Sequence, residues 1–432
     1  MAENLRATAA DQLLENGMRN RTSKRSTLAT PLAVLLVILA VLFIGFLTFV
    51  WHFNHPKQNP DCKKRVIGIY DNTDSEEIRE SHLEKLTHVV FFHTNQFLTA
   101  NGIQFGSDRD KFRFEKLRNK AKSFGLKVMI SIGRELHFFT DNFTNFELRC
   151  EFLKFYLHMY LINCSKLTDS IVSFLDEHQV DGVDLFWKWP IASDKSKYLL
   201  FVKELRQKML KKNKEYIISV TAALKKIPGD WAVSFDLEDI IKHVDFMNIF
   251  SMNFFSQWGW QTGPAAPLYH GIAPRENFNV DYTMNYYACK LKETSKLNLV
   301  IPMDARIWEN VKTEQTGSEV FRNVEPINGK VQAKIYTSRR LATETGINFD
   351  VAAWDEKTKT SYFFDENSKT FSSFENKKSI EAKLNYVNEK NLGGVWIRSV
   401  NMDDGSAHVL DDLNYQEYCS TKSIDTVNYQ CA

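Results

Sequence analysis

The residues from Asp181 to Pro190 read Asp-Gly-Val-Asp-Leu-Phe-Trp-Lys-Trp-Pro, and their spacing could place reactive groups side by side. A β-strand alternates its side chains with a period of two. A strand here therefore puts Asp184, Phe186 and Lys188 on one face and Leu185, Trp187 and Trp189 on the other. The first face offers a carboxylate and an amine, which stand roughly 13 Å apart along an extended chain and cannot pair directly. A general acid works best with a pKa near the working pH, and a lysine such as Lys188 starts near 10.4. Phe186, between them, offers neither a carboxylate nor a hydrogen-bonding group.

Eight short apolar runs rich in β-formers alternate with longer helical stretches. They are Arg65–Tyr70, Leu86–His93, Leu126–Ile132, Val180–Trp187, Tyr216–Ala223, Val244–Ser251, Leu297–Met303 and Gly393–Ser399. That alternation argues for parallel βα units. Eight units predict an α/β chain closed into a (β/α)8 TIM barrel, with functional groups at the carboxyl ends of the strands. About ninety residues separate the seventh run from the eighth, too many for one βα connection. They contain strand-like pieces of their own, Ala352–Trp354 and Ser361–Phe364, so a small α+β insertion is expected at about 309–388.

With these runs in place, the chain resembles glycoside hydrolase family 18, the chitinases and their relatives. The family's signature strand reads D-G-x-D-x-D-W-E-Y-P, which Asp181, Gly182, Asp184, Trp187 and Pro190 match, while Phe186 replaces the second inward Asp and Lys188 the catalytic Glu. The resemblance continues in order from about 63 to 404. Lys127–Gly133 is similar to the strand ending S-x-G-G, with Arg134 in place of the second Gly. Trp258–Tyr269 is similar to W-x-x-x-T-G-x-x-x-P-L-Y, and Asn279–Tyr282 to N-V-D-Y. Ile301–Arg306 is similar to G-x-P-x-Y-G-R, and Asn391–Gly394 with Asp403-Asp404 to N-L-G-G…D-x-D-D.

The resemblance implies chitin or N-acetylglucosamine polymers as the ancestral substrate. It also implies substrate-assisted hydrolysis, in which the Glu protonates the leaving oxygen and the neighbouring Asp holds the substrate's acetamide. Phe186 and Lys188 can do neither. Met252 and Asn253 stand where the family has M-x-Y-D, His93 where it has Phe, and Arg398 where a Trp floors the innermost sugar site. Tyr70, Trp189 and Trp258 fall where the family lines its sugar groove, and Arg306 where it keeps a binding Arg, whereas Trp187 and Trp396 read as core. Lys188 and Arg398 are open to two readings. They are either a pocket for an anionic or otherwise altered ligand, or a mouth neutralised by Asp304 or Asp184. The second is favoured, because unpaired buried charge is costly. The expected function is binding without hydrolysis, to a chitin-type glycan or to a protein partner. The alternatives are a hydrolase with a rearranged acid, such as Asp184 or Asp304, and an ectodomain with no sugar affinity.

Leu32–Val50 is an uncharged run of 19 residues. As a helix it spans roughly 28 Å, close to the thickness of a bilayer core. Trp51–Pro56 follows it in place of a small-residue cleavage site, so an uncleaved signal anchor is expected. This divides the chain into a cytoplasmic tail at 1–30, a transmembrane helix at 31–51, a stalk at 52–62 and the barrel domain at 63–432. All six cysteines, Cys62, Cys150, Cys164, Cys289, Cys419 and Cys431, follow the apolar run, as do the glycosylation sequons at Asn142 and Asn163. That one-sidedness fits an oxidising lumen or exterior, and hence a single-pass type II membrane protein. Six cysteines allow fifteen pairings, which stay open. With a formal net charge of +2 the chain shows no bias towards nucleic acid. It has no C-x-x-C pair or His cluster for a metal, and no cofactor is expected.

Overall fold

The computed structural model describes residues 34–46, 64–72, 76–92, 98–99, 102–135, 164–190, 192–212, 215–223, 234–257 and 259–403, with isolated positions from 410 to 431. The chain divides into two units, Met1–Gln58 and Asn59–Ala432. In the first, a helix covers 34–46 with every side chain exposed. Among the described residues no helix is long and apolar enough to cross a membrane, and the flanks of the expected 31–51 span lie outside them.

The second unit is built on eight parallel strands: β1 Arg65–Asp71, β2 His88–Phe92, β3 Lys127–Glu135, β4 Gly182–Lys188, β5 Ile217–Ala223, β6 Phe246–Phe250, β7 Leu297–Pro302 and β8 Gly394–Arg398. Each pairs with its neighbours in chain order, and β1 pairs with β8 to close the barrel. The strand ends depart from the expected ones by three residues at most. Strands buried on both faces appear in sequence as apolar runs, which is why these were legible. Helices Asp108–Ser123, Cys164–Glu177, Lys195–Lys211, Val280–Leu291 and Lys377–Glu389 cover the outer wall. Ser107 and Asn279 cap two of them by accepting the backbone N–H three residues on.

Between β7 and β8 lies a separate five-stranded antiparallel sheet. Its strands, in spatial order, are Ala333–Thr337, Asp304–Trp308, Thr370–Phe374, Thr360–Asp365 and Ala353–Asp355. It begins directly after β7, and the helix Lys377–Glu389 that follows packs back on β7 and β8. Cys289 is disulfide-bonded to Cys431, and Cys419 is also in a disulfide. Cys62 and Cys150, the side chain of Cys164, and the sequons at Asn142 and Asn163 lie outside the described residues.

Candidate functional site: the barrel interior and its mouth

Side chains fill the barrel in layers. At the amino end of the strands, Arg65 on β1 donates from Nε to Asn298 Oδ1 on β7 at 3.0 Å, and its guanidinium lies over the Phe246 ring. Asn298 in turn donates to Asn248 Oδ1 on β6 at 2.9 Å, and Asn248 donates to Asp184 on β4 at 3.2 Å. Asp184 also accepts from Ser219 at 2.6 Å, from Ser131 at 3.0 Å, and from Thr221. Asp184 is thus enclosed by neutral donors from β3, β5 and β6. Burial pushes its carboxyl above the usual range, against the pull of those hydrogen bonds. Burial likewise lowers Arg65 to about 10 and His88, beside it on β2, to about 3.

Above this polar layer lies an aromatic one. Phe186, 1% exposed, stands directly over Asp184 on β4. Its ring meets Phe92 of β2 at 5.8 Å, Phe250 of β6 at 6.0 Å and Trp396 of β8 at 6.2 Å between centroids. Strand alternation delivers all four from the inner face, and their rings close the barrel axis. Gly133, opposite Phe186 on β3, has φ +134°, and a Cβ there would strike the Phe186 carbonyl.

The mouth lies above the plug. Lys188 Nζ sits 4.9 Å from the centroid of Phe250, and the Arg398 guanidinium lies 5.1 Å from Phe92 and 5.7 Å from Phe186. β4 and β8 are opposite each other in the ring of strands, so the two cations reach the plug from opposite sides. Trp189 sets its ring edge-on to Phe250 at 5.4 Å. Met252 is buried, and Asn253, held at φ +63°, accepts from Arg306 Nη2 at 2.5 Å. Arg306, 1% exposed, also pairs with Asp304 at 3.1 Å. Its Nε and Nη1, and Asp304 Oδ1, are buried without hydrogen-bond partners.

Two sequence expectations change. Tyr70 does not line a groove: Arg65 points into the barrel, so period two turns Tyr70 outward. There it is 3% exposed, stacked on Phe91 and hydrogen-bonded to Arg113. Neither Asp184 nor Asp304 pairs with Lys188 or Arg398: Asp184 lies below the plug among neutral donors, and Asp304 is taken by Arg306. Asp181 is remote from the mouth, accepting the Val128 N–H at 2.8 Å where β3 and β4 begin. Trp187 and Trp396 are buried, as expected of core residues. Trp258 and His93 lie outside the described residues. The plug residues Phe92 and Phe250, and the interior amides Asn248 and Asn298, were missed. The amides carry a sequence signal, a polar residue at an inward position of an otherwise apolar run.

The profile of glycosyl hydrolases family 18 matches residues 65–403. The oviduct-specific glycoprotein of Mus musculus is 26% identical over 336 residues, 74% of this chain and 43% of its own length. An endochitinase of Manduca sexta is 25% identical over 379 residues, 80% of this chain and 64% of its own length. The chain thus spans about half the length of these curated relatives. Among solved structures, YKL-39 in the presence of chitooligosaccharides superposes with a TM-score of 0.63 at 19% identity, covering 84% of this chain and 100% of that one.

Proposed function

The chain belongs to family 18 of the glycosyl hydrolases, and from that premise we propose that it is a chitinase-like protein that binds and does not hydrolyse. The observation that carries this reading is the Phe186–Phe250–Trp396 plug. It closes the barrel axis above Asp184, so the carboxylate is cut off from the mouth by packed rings. Lys188, at the carboxyl end of the same strand, stands where the family's acid belongs. Loss of one acid–base group costs about 10²–10⁴-fold in rate. Here the acetamide-holding Asp is replaced as well, by Phe186. Asp184 is no substitute acid, because its oxygens are committed to four neutral donors beneath the plug.

The ligand class proposed is a chitin-type oligosaccharide, on the grounds of family membership and of a neighbour whose structure was obtained with chitooligosaccharides. A protein partner is the other binding mode. The sheet Asp304–Phe374 is read as the family's α+β insertion. The apolar run Leu32–Val50 is read as a signal anchor that places the barrel in a lumen or outside the cell, in keeping with a disulfide between Cys289 and Cys431.

The test is turnover of a fluorogenic chitooligosaccharide by the full-length protein in detergent micelles, from pH 4 to pH 8. No release above a buffer blank is expected. Release that scales with protein and is abolished by Asp184→Asn would overturn the reading.

A further inference from the structure

Three neighbouring helices of the outer wall are charged out of proportion to the rest of the chain. Asp108–Ser123 holds seven cationic residues against three acidic, and Lys195–Lys211 six against one. Cys164–Glu177, between them, holds one against three. Their sum is +7, in a chain whose formal total is +2, so the total conceals the asymmetry. The helices form one surface: Arg118 donates to the His178 carbonyl at 2.8 Å, at the end of Cys164–Glu177, and that helix packs on Lys195–Lys211. Part of the charge is neutralised in place, where Lys116, Lys120, Arg206 and Lys208 reach carboxylates. Among the described residues, Arg109, Lys111, Lys122, Lys166, Lys203 and Lys211 make no ion pair, and all but half-buried Lys203 are exposed. Asp108, Glu115 and Glu177 on the same helices do not match them in number. Helix stability does not call for all of these cations. A helix favours positive charge in its last turn, which accounts for Lys122 and Lys211. Arg109, Lys111 and Lys166 stand in first turns, where positive charge is unfavourable.

We propose that this wall binds an acidic polysaccharide, held by its sulfate or carboxylate groups. Cations spread along helices roughly 24 Å long suit a chain of repeated anionic groups, not one small anion. The choice of a polysaccharide rests on the reading that places the barrel in a lumen or outside the cell. Phe112, Leu200 and Leu210 are exposed on the two flanking helices. The middle helix exposes Lys166, Asp169, Ser173 and Glu177 and no apolar side chain, so the apolar surface is broken. A membrane surface needs a continuous apolar face, and anionic lipid is concentrated in the cytoplasmic leaflet.

The experiment is a titration of the full-length protein in phosphatidylcholine nanodiscs with labelled chondroitin sulfate, followed by fluorescence anisotropy. Hyaluronan, which carries carboxylates only, and neutral dextran run in parallel. Chondroitin sulfate is expected to bind and dextran not to. Raising salt from about 50 to about 200 mM is expected to weaken binding at least ten-fold. Hyaluronan binding as tightly supports the site and assigns it to carboxylates, and weaker hyaluronan binding assigns it to sulfates. The combined change Lys111→Glu, Lys166→Glu, Lys203→Glu and Lys211→Glu is expected to weaken binding at least ten-fold, with the melting temperature unchanged. The matched change Lys292→Glu, Lys330→Glu, Lys369→Glu and Lys377→Glu alters net charge equally elsewhere and is expected to retain most of the affinity. Equal losses in both variants, no binding of either acidic polysaccharide, or binding that ignores salt overturns the proposal. So does loss of binding in nanodiscs containing phosphatidylserine, which would give the wall to the membrane. Digestion of the barrel by protease outside sealed microsomes would instead sink the placement on which the choice of ligand rests, whatever the purified protein binds.

Discussion

Phe186 and Phe250 stack across the barrel axis, centroids 6.0 Å apart and planes 26° from parallel. Each comes from a strand that in an open barrel would point a side chain into space for a ligand. Their contact turns the top layer into core. It also explains the placement of Lys188 and Arg398, whose cationic heads rest on the faces of these rings.

The first prediction concerns that contact. Phe186→Asp buries a carboxylate at a site 1% exposed and removes the centre of the aromatic cluster. A loss of more than about 3 kcal/mol is expected from the truncation alone, and the stranded charge adds to it. The double change Phe186→Asp with Lys188→Glu restores the two signature carboxylates but leaves Met252, Asn253 and Arg398 as they are. No chitooligosaccharide turnover is expected from it. Turnover matching an active member of the family would show that the other departures are innocent.

The eight strands were legible because parallel strands covered on both faces are written as apolar runs. The same property hid the facing of Tyr70: β1 has apolar residues on both sides and little polar alternation to mark which way it turns. Arg65, buried inside the barrel, fixes the parity, but a lone arginine at a strand start reads as surface. The plug could not be read at all, since Phe92, Phe186, Phe250 and Trp396 are spread over three hundred residues and meet only when the barrel closes. The partner of Asp304 was within reach of the sequence: Arg306 stands two residues on in the same strand, so period two sets both on one face, but it was read as a binding residue instead. What the signature strand did disclose was local, the shared face of Asp184, Phe186 and Lys188.

The second prediction uses Asp184. Burial raises its folded-state pKa above the unfolded value of about 3.9. The protonated form is therefore favoured by folding. The associated stability is fully present below about pH 3.9 and is lost as pH rises through the folded value. Asp184→Asn removes the titration. Unfolding free energies of wild type and variant, measured from pH 4 to 7, should differ by an amount that moves in the variant's favour as pH rises. A pH-independent difference would mean that the four donors hold the carboxylate ionised at no cost.

His88 gives the opposite sign. Burial first, then Arg65 and Lys127, lowers its pKa from 6.5 to about 3. The imidazole, packed edge-on to Phe246 and hydrogen-bonded to Thr87, is neutral in the folded protein. Stability is present above about pH 6.5 and falls as the unfolded chain takes up a proton below it, with a limiting slope of about 1.4 kcal/mol per pH unit. His88→Gln should flatten that limb. Nitrogen-15 shifts of the His88 ring that titrate near 6.5 in the native protein would contradict the placement.

The last prediction concerns the Cys289–Cys431 disulfide, which closes 142 residues of chain and ties the carboxyl-terminal segment to the helix Val280–Leu291. A cross-link over so long a loop removes much of the freedom of the unfolded chain. Replacing both cysteines by serine should therefore cost about 2–5 kcal/mol. Strands β7 and β8 lie within that loop, but each is held by its own ladder in the barrel, so the fold should survive and the loss should appear first at the chain's end. Limited proteolysis is the discriminating measurement. The serine variant is expected to be clipped within its last residues before any cut in the barrel, and wild type to resist until reductant is added. Equal resistance in both would show that packing of Tyr429, whose hydroxyl donates to the Lys390 carbonyl, already secures the segment.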